Sequence, residues 1–368
     1  MLLLKWSLCA AMLSQLALCP RLWIADRSFP TVPVFEGLPD LPQIATVAAS
    51  VLFVLSVLLA AAASKPRPLL FAALAIGAAL VLFDINRLQP WFYQLMLLFA
   101  ALSLANWSDP ESPRSRAALA LCGLILAATY FWSGAQKANL AFGTEVFPWL
   151  LGPLGERLGR LWPVAPVFEV AIGVLLLAPK TRPWGLAGVV VLHVLLLLLL
   201  GPLGLNYNAV VWPWNFWMPV IAAAIFFRNA DFGIRDALRP PLGKAIAVLV
   251  AAMPALNFID RWDDYLSASL YSGRAREAFL SFDESSLRKL PEHIATFVPE
   301  DSFPIGVDLT EWSMADLGVP PYPEVRVYRA VARKVHEAGV PLSGMTLLIW
   351  DRPAADFWDT HVERVPIR

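Results

Sequence analysis

From Met1 to Ile259 the chain alternates long apolar runs with short polar or proline-bearing stretches, a segmentation that predicts a bundle of membrane-spanning helices. A bilayer core takes about 17 to 25 residues of helix, and runs of that order lie at 2–19, 43–63, 68–84, 88–107, 115–136, 163–179, 183–201, 207–227 and 243–259. The expected fold is an all-α polytopic membrane protein of about nine transmembrane helices over 1–259. From Asp260 onward the apolar runs shorten and charges rise, which predicts a small α+β unit over 260–368. Glu277–Asp283 and Met345–Asp351 have strand character, and Pro323–Ala338 has the pattern of a helix opened by proline and stopped at Gly339.

Composition agrees with the pattern. Hydrophobic residues make up 58% of the 368 positions and charged residues 16%, a balance outside that of ordinary soluble domains. A net charge of zero, with basic residues in short clusters, excludes nucleic acid as a partner class. Cys9, Cys19 and Cys122 lie in or beside apolar segments without CxxC spacing, so they are expected as buried thiols and not as a disulfide framework or zinc site. Met1–Cys19 carries Lys5 near its start and has the outline of a signal peptide or lipoprotein leader, but Leu18 stands where cleavage takes a small residue. The segment is therefore expected as the first span.

If nine spans alternate, Lys5, Lys65 and Arg67, Arg114 and Arg116, Lys180 and Arg182, and the group Arg228, Arg235, Arg239 and Lys244 fall on one side. That side, with the N-terminus, is expected to be cytoplasmic, and the 260–368 unit extracytoplasmic. Tryptophans near predicted helix ends, among them Trp91, Trp107, Trp149 and Trp162, fit interfacial anchors. The 138–162 connection mixes Phe, Trp and Leu with Glu145, Glu156 and Arg157, which predicts a helix lying in the interface, placed to lid a cavity below it.

Polar residues inside apolar helices are the candidate chemistry. Tyr130, Ser133, Gly134 and Lys137 recur at helical spacing and share one stripe, with a glycine that lets another element approach closely. Lys137 fits two roles equally on spacing alone, a lysine snorkelling to the headgroups or a site residue serving as base. His193, in the middle of a leucine-rich span, fits a hydrogen bond between helices or a proton relay, and Glu169 carries the same ambiguity. Glu169 and Lys137 are natural partners, although a paired lysine keeps its proton and makes a poor base. Asp84, Arg87 and Tyr93 crowd a tight turn with more hydrogen-bonding groups than a turn needs, which favours a role at the mouth of a site over a simple capped connection. Asn206 and the Trp212–Asn215 run repeat that mixture on the same expected side, and this convergence predicts a cavity.

The stretch Tyr130-Phe-Trp-Ser-Gly-Ala-Gln-Lys137 resembles the helix that carries the catalytic lysine of vitamin K-dependent γ-carboxylases and related HTTM membrane domains, and Lys137 matches that lysine. Phe168-Glu-Val-Ala-Ile-Gly173 is similar to the Glu-x-x-x-Gly pattern of DoxX-like membrane proteins. The likeness covers roughly residues 84–227. It implies a helical cavity facing the outside that binds a reduced quinone, whose hydroxyl the lysine deprotonates. Two departures separate this chain from the carboxylases: Trp91 stands at the position of their essential histidine, and the 260–368 unit is shorter than their extracytoplasmic domain. Glutamate carboxylation is accordingly not expected.

Two functional classes follow. The first is a membrane protein that binds or reacts with a quinone or other lipid-like amphiphile, with Lys137 as base or charge anchor, His193 and Glu169 tuning it, and Asp84, Arg87, Tyr93, Tyr130, Asn206 and Trp212 shaping the site. The second is a non-enzymatic scaffold or accessory protein whose C-terminal unit binds a protein partner. A transporter ranks third, since no internal repeat or matched pair of broken helices is visible.

Overall fold

The computed structural model describes residues 1–24, 26–227, 232–299, 304–351 and 361–367. It is mostly helical, with a small antiparallel sheet at the C-terminus. The helical part runs α1 (Leu2–Leu18), α2 (Gln43–Ala62), α3 (Arg67–Phe83), α4 (Pro90–Ser103) and α5 (Pro113–Gln136). After an irregular helical segment at Phe142–Leu161 come α6 (Val164–Leu177), α7 (Arg182–Leu200), α8 (Val211–Phe226) and α9 (Pro241–Ile259). Prolines open many of these helices, as at Pro90, Pro113 and Pro241, where the missing N–H costs nothing. Ser112 caps α5 by accepting from the Ser115 N–H.

The expectation of nine spans is not supported. Four helices, α2, α5, α7 and α9, are long and apolar enough to cross a membrane. A fifth is reached only by joining Phe142–Leu161 to α6 across a 79° bend. Helices α1, α3, α4 and α8 have 17, 17, 14 and 16 residues. At about 1.5 Å per residue the longest of these reaches only about 26 Å, short of a core of about 30 Å. The apolar runs are longer than the helices within them: the run at 88–107 holds a helix ending at Ser103, and the run at 207–227 one beginning at Val211. With that count goes the strict alternation behind the assignment of sides, and Arg228 lies outside the described residues.

Helix α5 is the hub. Of its apolar window 78% is buried, against 33%, 28% and 28% for α2, α7 and α9, which turn most of their surface outward. The outward residues are Leu, Val and Ile, such as Leu52, Leu55 and Leu59 on α2 and Val190, Val191 and Val194 on α7, as a lipid-facing surface requires. The three cysteines are buried and free.

In the C-terminal unit β1, β3 and the helix before Gly339 fall where the sequence pattern put them, and two short strands join them. Strands β1 (Glu277–Phe282), β2 (Gly306–Asp308), β3 (Met345–Asp351) and β4 (His361–Val365) form one antiparallel sheet ordered β2-β1-β3-β4. In the register Ala278 faces Ile349, Leu280 faces Leu347 and Phe282 faces Met345. All six are buried on the same sheet face, as period-two alternation requires. The two longer helices beside the sheet are α10 (Leu309–Leu317) and α11 (Val325–Glu337). Helix α11 buries Val327, Tyr328, Val331, Ala332 and Val335 along one stripe, and the chain leaves it through Gly339 at φ +110.

This unit is tied to the N-terminal loop and the turn after α3. Asp316 accepts the backbone N–H groups of Ser28 and Phe29 at 2.7 and 2.6 Å and pairs with Arg21 at 2.9 Å. Gln89 donates to the Pro320 carbonyl, Asn86 accepts from the Tyr322 N–H, and Arg326 donates to the Val34 carbonyl. Arg333 and Lys334 of α11 reach Glu36 and Asp40.

Candidate functional site

Helices α5 and α6 cross at backbone contact, and this crossing builds the site. A Cβ placed on Gly134 would lie 2.6 Å from the Pro166 carbonyl oxygen, and one on Gly173 would lie 2.7 Å from that of Ala127. Only glycine permits so close an approach at both points. The consequence appears one helical turn beyond Gly134, where Lys137 reaches Glu169. The Lys137 Nζ lies 2.9 Å from Glu169 Oε2, 2.6 Å from Ser133 Oγ and 3.2 Å from the Ser133 carbonyl. Both charged side chains are buried, 10% and 7% exposed.

A second polar chain crosses from α5 to α7 and α8. The Tyr130 hydroxyl is 2.8 Å from His193 Nε2, and His193 Nδ1 is 2.7 Å from Asn215 Oδ1. The Asn215 amide donates to the Val211 carbonyl at 2.8 Å, which fixes its oxygen as the group facing the imidazole. A neutral ring then satisfies both contacts, donating from Nδ1 to Asn215 and accepting at Nε2 from the Tyr130 hydroxyl. A third node joins α4 to α8 through Gln94, which donates to Thr129 Oγ1 and accepts from Trp214 Nε1 at 2.8 Å.

These nodes open on one cavity of about 570 Å³. Thr129, Tyr130, Ser133 and Lys137 form a polar strip along α5, and Glu169, His193, Asn215, Gln94 and Tyr93 join it from neighbouring helices. The rest of the wall is overwhelmingly aliphatic and aromatic. Leu150, Leu154 and Leu158 come from the Phe142–Leu161 segment and Leu192, Leu196 and Leu199 from α7, while Tyr265, Leu266 and Tyr271 come from the segment after α9. The Phe142–Leu161 segment thus forms one wall.

Of the residues singled out in the sequence, Lys137, His193, Glu169, Tyr130 and Tyr93 line this cavity. Asp84, Arg87, Asn206 and Trp212 do not. Asp84 pairs with Arg27 at 2.7 Å and accepts the Val32 N–H, so it fastens the N-terminal loop to the turn. Its separation from Arg87 is 3.9 Å, and Arg87 instead donates to the Leu22 and Leu80 carbonyls. Asn206 is exposed at φ +49, and Trp212 closes the turn after α7 by donating to the Leu200 and Tyr207 carbonyls. Asp84, Arg87 and Trp212 serve loop closure, a function that composition does not separate from a binding site. Trp91 is buried against Trp23 and Phe92 and does not line the cavity.

Gln94 and Thr129 are lining residues that escaped the sequence reading. The available signal was an amide in the middle of the apolar run 88–107, the same signal that drew attention to His193. No protein-family model matches the chain, and neither does any curated protein or solved structure.

Proposed function

We propose that this is an integral membrane protein whose cavity binds, and offers proton-carrying groups to, a quinone or similar lipid-like amphiphile. The observation that carries the reading is a cavity of about 570 Å³, with a polar strip on α5 facing walls of leucine, phenylalanine and tryptophan. Such a shape suits a ligand with a small polar head and a long apolar body. The resemblance of the α5 stretch to the lysine helix of the carboxylases supports the same class of ligand.

The ion pair bears on the role of Lys137. With its Nζ 2.9 Å from the Glu169 carboxylate, Lys137 serves as a charge anchor and not as the base. The proton-carrying couple is Tyr130 and His193, whose hydroxyl and imidazole are already hydrogen-bonded in series. The alternative, a scaffold whose C-terminal unit recruits a partner, needs that unit free. Its ties to Ser28, Phe29, Asn86 and Val34 argue for a cover built onto the helical part.

The test is ligand binding by the full chain in lipid nanodiscs, using a decyl-substituted benzoquinol and following quenching of ligand fluorescence. Saturable binding that weakens at least about tenfold in His193→Leu is expected, a loss of about 1.4 kcal/mol. Absence of saturable binding in the unaltered protein sinks the proposal.

A further inference from the structure

We infer that the cavity selects amphiphiles with an uncharged head group and discriminates against anionic and cationic lipids. This deepens the amphiphile-binding reading and rests on it. Among the described residues that line the cavity, Lys137 and Glu169 are the charged side chains, and they oppose each other at 2.9 Å. The wall therefore carries no net charge. An ammonium has three hydrogens to give, and three acceptors surround this one: Glu169 Oε2, Ser133 Oγ and the Ser133 carbonyl. A ligand carboxylate, sulfate or phosphate would have to break one of those bonds to reach Lys137. It would also bring a second negative charge beside Glu169 in a medium of low dielectric, where like charges repel strongly.

A cationic head meets the mirror-image obstacle, since Glu169 is already held by the lysine. The imidazole is likewise committed on both nitrogens, to Tyr130 and Asn215. What remains for a ligand is a set of uncharged dipoles. Tyr93 contributes to the cavity wall, and its buried hydroxyl makes no hydrogen bond among the described residues. The Tyr130 oxygen keeps lone pairs free after donating to His193. A hydroxyl head can donate to the Tyr130 oxygen without bringing charge.

The test uses three probes with one C16 chain each: hexadecanol, hexadecanesulfonate and hexadecyltrimethylammonium, offered together to the detergent-solubilised full chain and counted as adducts by native mass spectrometry. The unaltered protein is expected to retain hexadecanol at least about tenfold over either ion. Glu169→Gln, which leaves an unpaired ammonium, should move the preference toward the sulfonate by about tenfold, and Lys137→Met toward the ammonium probe by a similar factor. The double variant K137M/E169Q, neutral again, should return to hexadecanol, and it keeps the test open if either single variant fails to fold. A preference of the unaltered protein for either ion overturns the inference while leaving amphiphile binding intact, as does a wild-type order in folded single variants or a charged preference in the double variant. No adduct with any probe overturns the binding reading itself.

Discussion

A Cβ on Gly134 would stand 2.9 Å from the Cβ of Glu169, closer than side-chain carbons approach in folded proteins. The glycine and the carboxylate are thus two halves of one feature, in which the absence of a side chain on α5 lets a charged one on α6 reach Lys137. Gly134→Val is expected to push α5 and α6 apart at a cost of about 1–3 kcal/mol, as overpacking does. Thermal unfolding in detergent, together with loss of cavity-ligand binding, reads this out; unchanged stability would show the crossing to be looser than described.

The buried pair should show strong non-additivity. Removing either partner leaves the other buried and uncompensated, a cost of about 3–5 kcal/mol, whereas K137M/E169Q removes both charges. Lys137→Met and Glu169→Gln should each lower the melting temperature markedly, and the double variant should recover most of the loss. Additive losses would mean that the two residues act apart.

Tyr130→Phe keeps the ring and deletes the donor to His193 Nε2, leaving a buried acceptor unmade at about 1–3 kcal/mol. Asn215→Leu removes the partner at Nδ1 and should cost a similar amount. The imidazole proton resonance of His193 is the direct readout, since it should shift in both variants and stay unchanged in Asp84→Asn, whose site is elsewhere.

The docking of the C-terminal unit depends on Asp316 more than on any residue near the cavity. Asp316→Ala leaves the Ser28 and Phe29 N–H groups without their acceptor, and the exposed connections of the 260–368 unit should be cleaved faster in limited proteolysis. Ligand binding in the cavity should change little. Equal proteolysis of both proteins would count against this contact as an anchor.

Burial pushes the Asp263 carboxyl up to about 7, with Glu324 adding to the rise against hydrogen bonds from Tyr322 and the Leu266 N–H. A carboxyl raised by folding stabilises when protonated. Its contribution is full below the unfolded value of 3.8 and is lost as pH rises through about 7. Hydrogen exchange in 263–271, corrected for its intrinsic pH dependence, should therefore increase between about pH 4 and about pH 7, and Asp263→Asn should flatten the change. Because Leu266 and Tyr271 line the cavity, ligand affinity is expected to follow the same trend.

Helix positions, strands β1 and β3 and α11 were legible in the sequence because each is written in local periodicity: near-continuous apolar runs, alternation in β1 and β3, and a stripe ending at a glycine; the short β2 and β4 were not. Span count was not legible, because hydropathy registers apolar composition whether or not the helix continues through it. At 88–107 and 207–227 part of each run lies outside its helix. The stripe Tyr130, Ser133, Gly134 and Lys137 was legible as well, since its members share one helix face.

Sequence by itself determined which side chains are too costly to leave unpaired in an apolar setting: Lys137, Glu169 and His193 each demand a partner wherever the chain places them. Only the tertiary structure decided who those partners are. The Gly134–Gly173 crossing gave Lys137 to Glu169, the placement of α8 beside α7 gave His193 to Asn215, and the docked C-terminal unit took the turn at Asp84–Gln89 away from the site. Each pairing spans helices far apart in sequence or at an angle to one another, and no spacing rule along a single helix encodes the distance between two different ones.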